Sequence, residues 1–316
     1  MKKIGILGAG TWGIALAHIL DQNGHQVVIW SAISEEIDNL KKERIHPKLP
    51  GVELSKTLIF TKELEKVCEN KEFILIAVPS NFVRDIAKSI RNYVNKNQII
   101  VDVAKGIETT TLFTMSQIIH DELGKNINVV ALSGPTHAEE VIRNMPTTIV
   151  AACSDLEVAE SVQDVFMNDN MRVYTNDDIY GVEIAGAIKN IIALAAGISD
   201  GLEYGDNARA ALITRGLAEI TRLGVALGCK EQTFYGLTGV GDLIVTATSK
   251  YSRNHKAGYL IGKGYSIEDA IHNVGMVVES INALPAVMEL AKHSEVQMPI
   301  VEAVNKIINE GKKTSK

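Results

Sequence analysis

The chain lacks paired cysteines, clustered metal ligands, an excess of positive charge and any long uninterrupted apolar run. Cys68, Cys153 and Cys229 are far apart and form no CxxC pair. Such a set excludes a disulfide framework and a cysteine zinc site, and fits a reducing compartment. The eight histidines include no HExxH or comparable spacing, so no metal is expected. With 32 Lys and Arg against 38 Asp and Glu, the net charge is −6. That argues against nucleic acid or an anionic membrane as main partner. An anionic ligand then needs a local cluster of positive groups. No apolar run approaches the ~18 residues that span a bilayer, so no membrane insertion is expected. Lys2 and Lys3 lead into an apolar stretch resembling a secretory leader, but Gly5, Gly8, Gly10 and Gly13 make a poor hydrophobic helix. The expectation is a soluble, cytoplasmic protein. Low-complexity segments and internal repeats are also missing. The Lys-rich tail Lys312–Lys316 reads as a frayed terminus.

What is present is a globular composition, 46% hydrophobic and 22% charged, in a chain long enough for two domains. In the first half, β-rich runs at Lys3–Leu7, Gln26–Trp30, Phe73–Val78, Gln98–Val103, Asn128–Leu132 and Thr147–Ala151 alternate with helix-length segments. Near-continuous apolar strands between helices predict a parallel sheet covered on both faces. From about Gly181 the period becomes helical, with Ile213, Leu217, Ile220 and Leu227 on one spacing. The expected fold is α/β: a Rossmann domain with a doubly wound, mostly parallel sheet over residues 1–180, followed by an all-helical substrate domain over 181–316.

Gly8-Ala9-Gly10-Thr11-Trp12-Gly13 follows the first strand and opens a helix. In that setting Gly8 permits a tight turn, Gly10 lets backbone approach a pyrophosphate, and Gly13 allows close helix–strand packing. The helix N-terminus then offers amides and a positive dipole end to the phosphates. After the second strand the chain reads Ser31-Ala32-Ile33-Ser34. It has neither the acid that holds an NAD ribose nor the arginine that meets an NADP phosphate, so NADH and NADPH both stay open.

Three strand ends suit a ligand cleft: Pro79-Ser80, Ala104-Lys105-Gly106 and Ser133-Gly134-Pro135-Thr136. Lys105 places a cation there, although a solvated loop lysine is the plainer reading. Lys189 is the only ionisable side chain across Ile184–Ser199, and its helical neighbours Ala185, Gly186, Ile192 and Ala193 are small or apolar. An amine so placed loses hydration, and its pKa falls into a range useful for proton transfer. The alternative is a lysine that snorkels to water. Asp242, after Gly239-Val240-Gly241, suits restraint of the Lys189 charge or an ordinary helix cap. Ser252-Arg253-Asn254 combines a hydroxyl, a guanidinium and an amide, as phosphate recognition requires, or it is a surface loop. His18 and His137 attract no role. Glu139 and Glu140 read as a charged first helical turn.

Over essentially its whole length the chain resembles bacterial NAD(P)-dependent glycerol-3-phosphate dehydrogenases. The motifs are Gly8–Gly13 with Trp12, Val103–Glu108, Leu132–Glu140, Gly181–Gly197 around Lys189-Asn190, Gly201–Arg215, Leu237–Thr246, Ser252–Asn254 and Gly275–Glu279. The resemblance implies reversible reduction of dihydroxyacetone phosphate to sn-glycerol 3-phosphate by NADPH or NADH, supplying phospholipid synthesis. It implies Lys189 as general acid/base, with Lys105 and Asp242 beside it. Substrate contacts would come from Lys105, Gly134, Thr136, Lys189, Asn190, Asp242, Thr246, Ser252, Arg253 and Asn254. Cofactor contacts would come from Gly8, Gly10, Thr11, Trp12, Gly13, Lys105, Ala138, Arg253, Val277 and Glu279. Relatives often carry His-Arg where this chain has Ala32-Ile33, which puts the NADPH preference in doubt. A homodimer is admitted. The competing readings are a dehydrogenase of a 3-hydroxy acid or phosphosugar acid, and a non-catalytic nicotinamide sensor.

Overall fold

The β-branched and leucine runs of the first half form strands with almost every residue buried, as parallel strands between helices must be. In the computed structural model, which describes residues 1–314, the strands are β1 (Lys3–Leu7), β2 (Gln26–Trp30), β3 (Ile59–Thr61), β4 (Phe73–Ile76), β5 (Ile99–Asp102), β6 (Asn128–Ser133), β7 (Thr147–Ala152) and β8 (Met171–Asn176). They make one sheet of order β3-β2-β1-β4-β5-β6-β7-β8. Neighbours run parallel except at β6–β7, where Ser133 pairs antiparallel with Val150. Only the short helix Ala138–Val141 lies between these two strands, which is too little for a parallel crossover. The order reverses beside β1, the switch point at which doubly wound sheets bind ligands.

Two strands are absent from the sequence reading. β3 is only 3 residues long, and β8 alternates, turning Arg172 and Tyr174 outward. Neither offers the continuous apolar run that marks a central strand.

The helices of this part are α1 (Thr11–Gln22), α2 (Ser34–Glu43), α3 (Leu64–Cys68), α4 (Val83–Ile90), α5 (Met115–Leu123), α6 (Ala138–Val141) and α7 (Leu156–Phe166). Their apolar faces close a core with the sheet that includes Ile6, Ile14, Leu16, Ile29, Leu75 and Val130. Each such aliphatic side chain contributes roughly 1.5–3 kcal/mol by leaving water.

The remainder is helical: α8 (Ile179–Gly201), α9 (Asp206–Ala226), α10 (Glu231–Tyr235), a π turn over Leu237–Gly241, α11 (Asp242–Thr248), α12 (Arg253–Gly262), α13 (Ile267–Val274), α14 (Glu279–His293) and α15 (Pro299–Glu310). α8 is rich in alanine and isoleucine on every face, so it can be stable in water only as the centre of a bundle. It is the one helix, among the described residues, long and apolar enough to cross a bilayer, and its apolar window is wholly buried inside the protein.

The chain divides into two compact units, Met1–Ala104 with Met115–Ile179, and Lys105–Thr114 with everything from Tyr180. The segment 105–114 thus leaves the sheet unit after β5 and returns before α5. Ile107 joins the helical core, and an isolated bridge ties it to Thr114. The tail expected to fray, Lys312–Lys316, falls in part on Ser315 and Lys316, which lie outside the described residues.

Candidate active site

In the sheet unit, the turn after β1 is built from what glycine permits. Gly8 has φ +119°, and a Cβ there would collide with the carbonyl oxygen of Ala77. Its amide donates to the Trp30 carbonyl at 2.8 Å, locking the turn to the end of β2. At Gly13 a Cβ would strike the Gly8 carbonyl, so α1 packs directly on the turn. Gly10 differs, because a Cβ there would meet nothing within 4 Å. That open side faces the N-terminus of α1, where Gly10 is the cap residue and no side chain caps the first amides. Thr11 and Trp12 stand half-buried in that first turn. An open, uncapped helix start behind a glycine turn fits a dinucleotide pyrophosphate.

Gly134 follows β6 with φ +150°, and Thr136 donates its hydroxyl to the Gly134 carbonyl at 3.2 Å. Ala138 is buried at the start of α6, with Glu139 and Glu140 beside it in the first turn.

In the helical unit three ionisable groups converge. Lys189, 4% exposed on α8, donates from Nζ to Asp242 Oδ1 at 2.5 Å and to Thr246 Oγ1 at 2.6 Å. Lys105 Nζ donates to the other oxygen, Asp242 Oδ2, at 2.7 Å. Asp242, 1% exposed at the start of α11, therefore bridges two amines and does not cap its helix. The glycines before it have a local purpose, since a Cβ at Gly239 would run into the backbone of Phe234.

Burial pushes the Lys189 amine down to about 7; the Asp242 charge resists the fall and the Lys105 charge adds to it. Burial alone would raise the Asp242 carboxyl, but the charges and hydrogen bonds of Lys105 and Lys189 outweigh it and hold the group below its ordinary value. The result is an amine that exchanges a proton near neutral pH, locked to a carboxylate that stays ionised. Thr246 Oγ1 also donates to the Asp242 carbonyl at 2.6 Å, which fixes its lone pairs towards Lys189.

The segment Ser252-Arg253-Asn254 splits in three directions. Ser252 caps α12, accepting from the His255 amide at 3.2 Å. Asn254 turns inward: its Nδ2 donates to Asn190 Oδ1 at 3.0 Å, and its Oδ1 accepts from the Ser280 amide at 3.0 Å. Asn190 in turn donates to the Gly186 carbonyl at 3.3 Å. Arg253 alone of the three is exposed. Ser280 sits one residue past Glu279, which with Val277 is half-buried at the start of α14.

α12 is held against α8 by four glycines that the sequence reading assigns no role. A Cβ at Gly197 would meet the His255 carbonyl, one at Gly201 that of Tyr259, one at Gly258 that of Leu194, and one at Gly262 that of Ile198. Two glycine pairs spaced by four residues let the backbones touch, and that spacing is the signal that could have revealed them. Asp200, at the end of α8, adds a polar latch, accepting from Arg209 at 3.0 Å and pairing with His255 Nε2 at 2.8 Å.

Among the described residues no three His, Cys, Asp or Glu side chains converge as a metal site. A surface cleft of about 450 Å³, lined by Arg215, Arg222, Glu295, Val296, Gln297 and Pro299, contains none of the groups above.

A doubly wound dinucleotide sheet followed by a helical unit with a buried, proton-exchanging amine is the build of a two-domain nicotinamide oxidoreductase. The chain belongs to the NAD-dependent glycerol-3-phosphate dehydrogenase family: the N-terminal family model matches residues 3–159 and the C-terminal one residues 178–316. It is 60% identical to glycerol-3-phosphate dehydrogenase [NAD(P)+] 2 of Lactobacillus delbrueckii subsp. bulgaricus, over 98% of this chain and 94% of the relative. It is also 50% identical to the glycerol-3-phosphate dehydrogenases [NAD(P)+] of Agathobacter rectalis and Bacillus velezensis, over 99% of this chain in each case and 93% and 92% of the respective relative. The crystal structure of glycerol-3-phosphate dehydrogenase from Coxiella burnetii superposes with a TM-score of 0.96 at 35% identity, covering 99% of this chain and 96% of that one.

Proposed function

We propose that the protein reduces dihydroxyacetone phosphate reversibly to sn-glycerol 3-phosphate, with NADH or NADPH as hydride donor, in the cytoplasm and in support of phospholipid synthesis. The observation that carries this reading is the Lys105–Asp242–Lys189 cluster, with its amine at about 7. NAD(P)H, held at the glycine turn Gly8–Gly13, would supply a hydride for C2 of the ketone. Protonated Lys189 gives its proton to the carbonyl oxygen, so that ketone, hydride and proton balance as the secondary alcohol. Lys105 lends positive charge to the oxygen as it becomes an alkoxide. Asp242 keeps both amines oriented and, by staying ionised, lets Lys189 recover its proton from solvent. In the oxidative direction neutral Lys189 takes the hydroxyl proton.

Arg253, the exposed guanidinium at the head of α12, takes the substrate phosphate, with the α12 amides beside it. Asn190, Asn254 and Ser252 hold that helix start in place, and Thr246 aims the Lys189 amine. Gly134 and Thr136 complete the substrate contacts. Gly8, Gly10, Thr11, Trp12 and Gly13 hold the pyrophosphate, with Ala138, Val277 and Glu279 as further cofactor contacts. Residues 1–180 then supply most of the cofactor contacts and 181–316 most of the substrate contacts, with Lys105, Gly134 and Thr136 acting on the substrate and Val277 and Glu279 on the cofactor. The reading admits a homodimer, which light scattering on the purified protein checks.

The deciding experiment follows the loss of reduced-nicotinamide absorbance with dihydroxyacetone phosphate, run separately with NADH and NADPH, and with 2-keto acids in parallel. Turnover of dihydroxyacetone phosphate alone is expected. Preference for a keto acid overturns the substrate assignment, and tight nucleotide binding without turnover favours a sensor.

A further inference from the structure

The end of β2 carries a second arrangement that the motif alone does not define. Trp30, the last residue of β2, receives the Gly8 amide, so the residues after it start directly beside the glycine turn. The next residue, Ser31, is buried and uses its hydroxyl twice. It accepts from the Ile33 amide at 3.2 Å and donates to Glu36 Oε2 at 2.5 Å. Glu36 lies in the first turn of α2, where a negative side chain complements the helix dipole. Its Oε1 makes no hydrogen bond among the described residues. His46 ties the corner together, hydrogen-bonded to the Ala9 backbone inside the glycine turn and within the field of Glu36.

Lys48 puts one positive charge near the His46 ring, while Arg44 and Lys62 are engaged elsewhere. Burial lowers the His46 ring below its ordinary value, against the pull of the Glu36 charge. Arg44 spends Nη1 on the carbonyls of Ser55 and Leu58, at 3.2 and 2.8 Å. Lys62, just past β3, pairs with Asp38 at 2.6 Å. Ile33, three residues past the end of β2, is exposed and apolar.

In a sheet of this order the adenosine ribose of a dinucleotide falls at the carboxyl end of β2. A carboxylate there accepts from the ribose hydroxyls, whereas a 2′-phosphate needs a cation. Resting on the nicotinamide reading above, we propose that Glu36, fixed by Ser31, is the cofactor-specificity residue and makes this protein select NADH over NADPH. The carboxylate takes a ribose hydroxyl and repels the extra phosphate. The usual position for such an acid, at the strand end itself, is held here by Ser31, which delivers the carboxylate from one helical turn further on.

The test is direct binding, read from the fluorescence of the reduced nicotinamide during titration of the wild-type enzyme and of two variants. Wild type is expected to bind NADH at least about tenfold tighter than NADPH, the scale of one unfavourable charge contact. Glu36→Gln is nearly isosteric and should narrow that ratio at least about threefold, mainly by tightening NADPH. Ile33→Arg leaves the Ser31–Glu36 contact in place and alters only an exposed side chain. It should tighten NADPH by a similar factor while NADH changes little. Equal or tighter NADPH binding by wild type overturns the proposal, as does a ratio unmoved in both variants, with the nicotinamide reading left standing. Failure to bind either nucleotide overturns that reading and the proposal with it.

Discussion

The two units handle charge in opposite ways. The sheet unit builds its candidate ligand site from backbone: a glycine turn, open amides and a helix dipole, with no acidic side chain in the first turn of α1. The helical unit holds a buried amine, a half-buried amine and a buried carboxylate, with the carboxylate hydrogen-bonded to both amines. Backbone amides hold an anion whose charge stays constant, so they need no protonation change. A proton transfer needs a group whose charge is costly enough to be given up near neutral pH, and burial supplies that cost. On the proposed function, pyrophosphate recognition and proton transfer thus rest on different types of interaction, and variants can test the separation.

The largest effect should come from removing the amine. Lys189→Ala is expected to lower kcat by at least ~10²-fold, the scale of a general acid/base, while the Kd for reduced nicotinamide stays within about twofold. Single-turnover kinetics beside a fluorescence titration measures both. A large loss of nucleotide affinity would break the separation.

The reverse variant is Gly8→Ala. Its Cβ must displace the Ala77 carbonyl in a conformation that L residues rarely adopt. A stability loss of about 2 kcal/mol is expected, together with weakened dinucleotide binding, because the turn must open. Urea unfolding and the same titration report it, and the pH dependence of the remaining activity should match wild type.

The pH profile itself sharpens the comparison. Reduction needs protonated Lys189 and should decline as pH rises through about 7, whereas oxidation should rise over the same interval. Asp242→Asn removes the charge that holds the proton, so the inflection moves to lower pH. Lys105→Met removes a competing positive charge, so it moves to higher pH. Shifts of equal sign in the two variants would contradict the electrostatic account. The same amine also links pH to stability. Its folded value lies below the ordinary 10.5, so between about 7 and 10.5 the unfolded chain binds more protons, and this group's contribution to stability increases with pH. Denaturant titrations of wild type and Lys189→Met across that window should diverge accordingly.

The smallest effect separates a buried group proposed for chemistry from one that supports the fold. Glu219 on α9 is 3% exposed and accepts from the amides of Ile300, at 2.9 and 3.1 Å, and Val301, at 3.3 Å. It caps α15 from another helix, because the residue in the cap position, Met298, offers no side-chain bond. Glu219→Ala should cost about 1–2 kcal/mol in a thermal or urea melt and leave the pH profile of turnover unchanged.

Legibility in the sequence followed the range of the interaction. β1, β2 and the glycine turn stand where the spacing predicts, because a strand, a tight turn and a helix start are all set by neighbours in the chain. The antiparallel β6–β7 pair was not legible, since strand direction depends on how much chain the intervening link can fold. Asn254 shows the same limit at a site. Its residue type suggests phosphate contact, and its sequence position gives no sign of the bonds it makes to Asn190 and Ser280, partners 64 and 26 residues away. Ser31 and Glu36 are a middle case, separated by one helical turn and joined only once α2 folds.

By itself the sequence determined that a dinucleotide turn opens the chain and that a lone amine rides an apolar helix, because glycine conformation and helical periodicity are local properties. Only the tertiary structure decided that Lys105, Lys189 and Asp242 meet, across separations of 137 and 53 residues. The physical reason is that a charge acquires its working pKa from distance and dielectric, and both come into being only when the chain has packed.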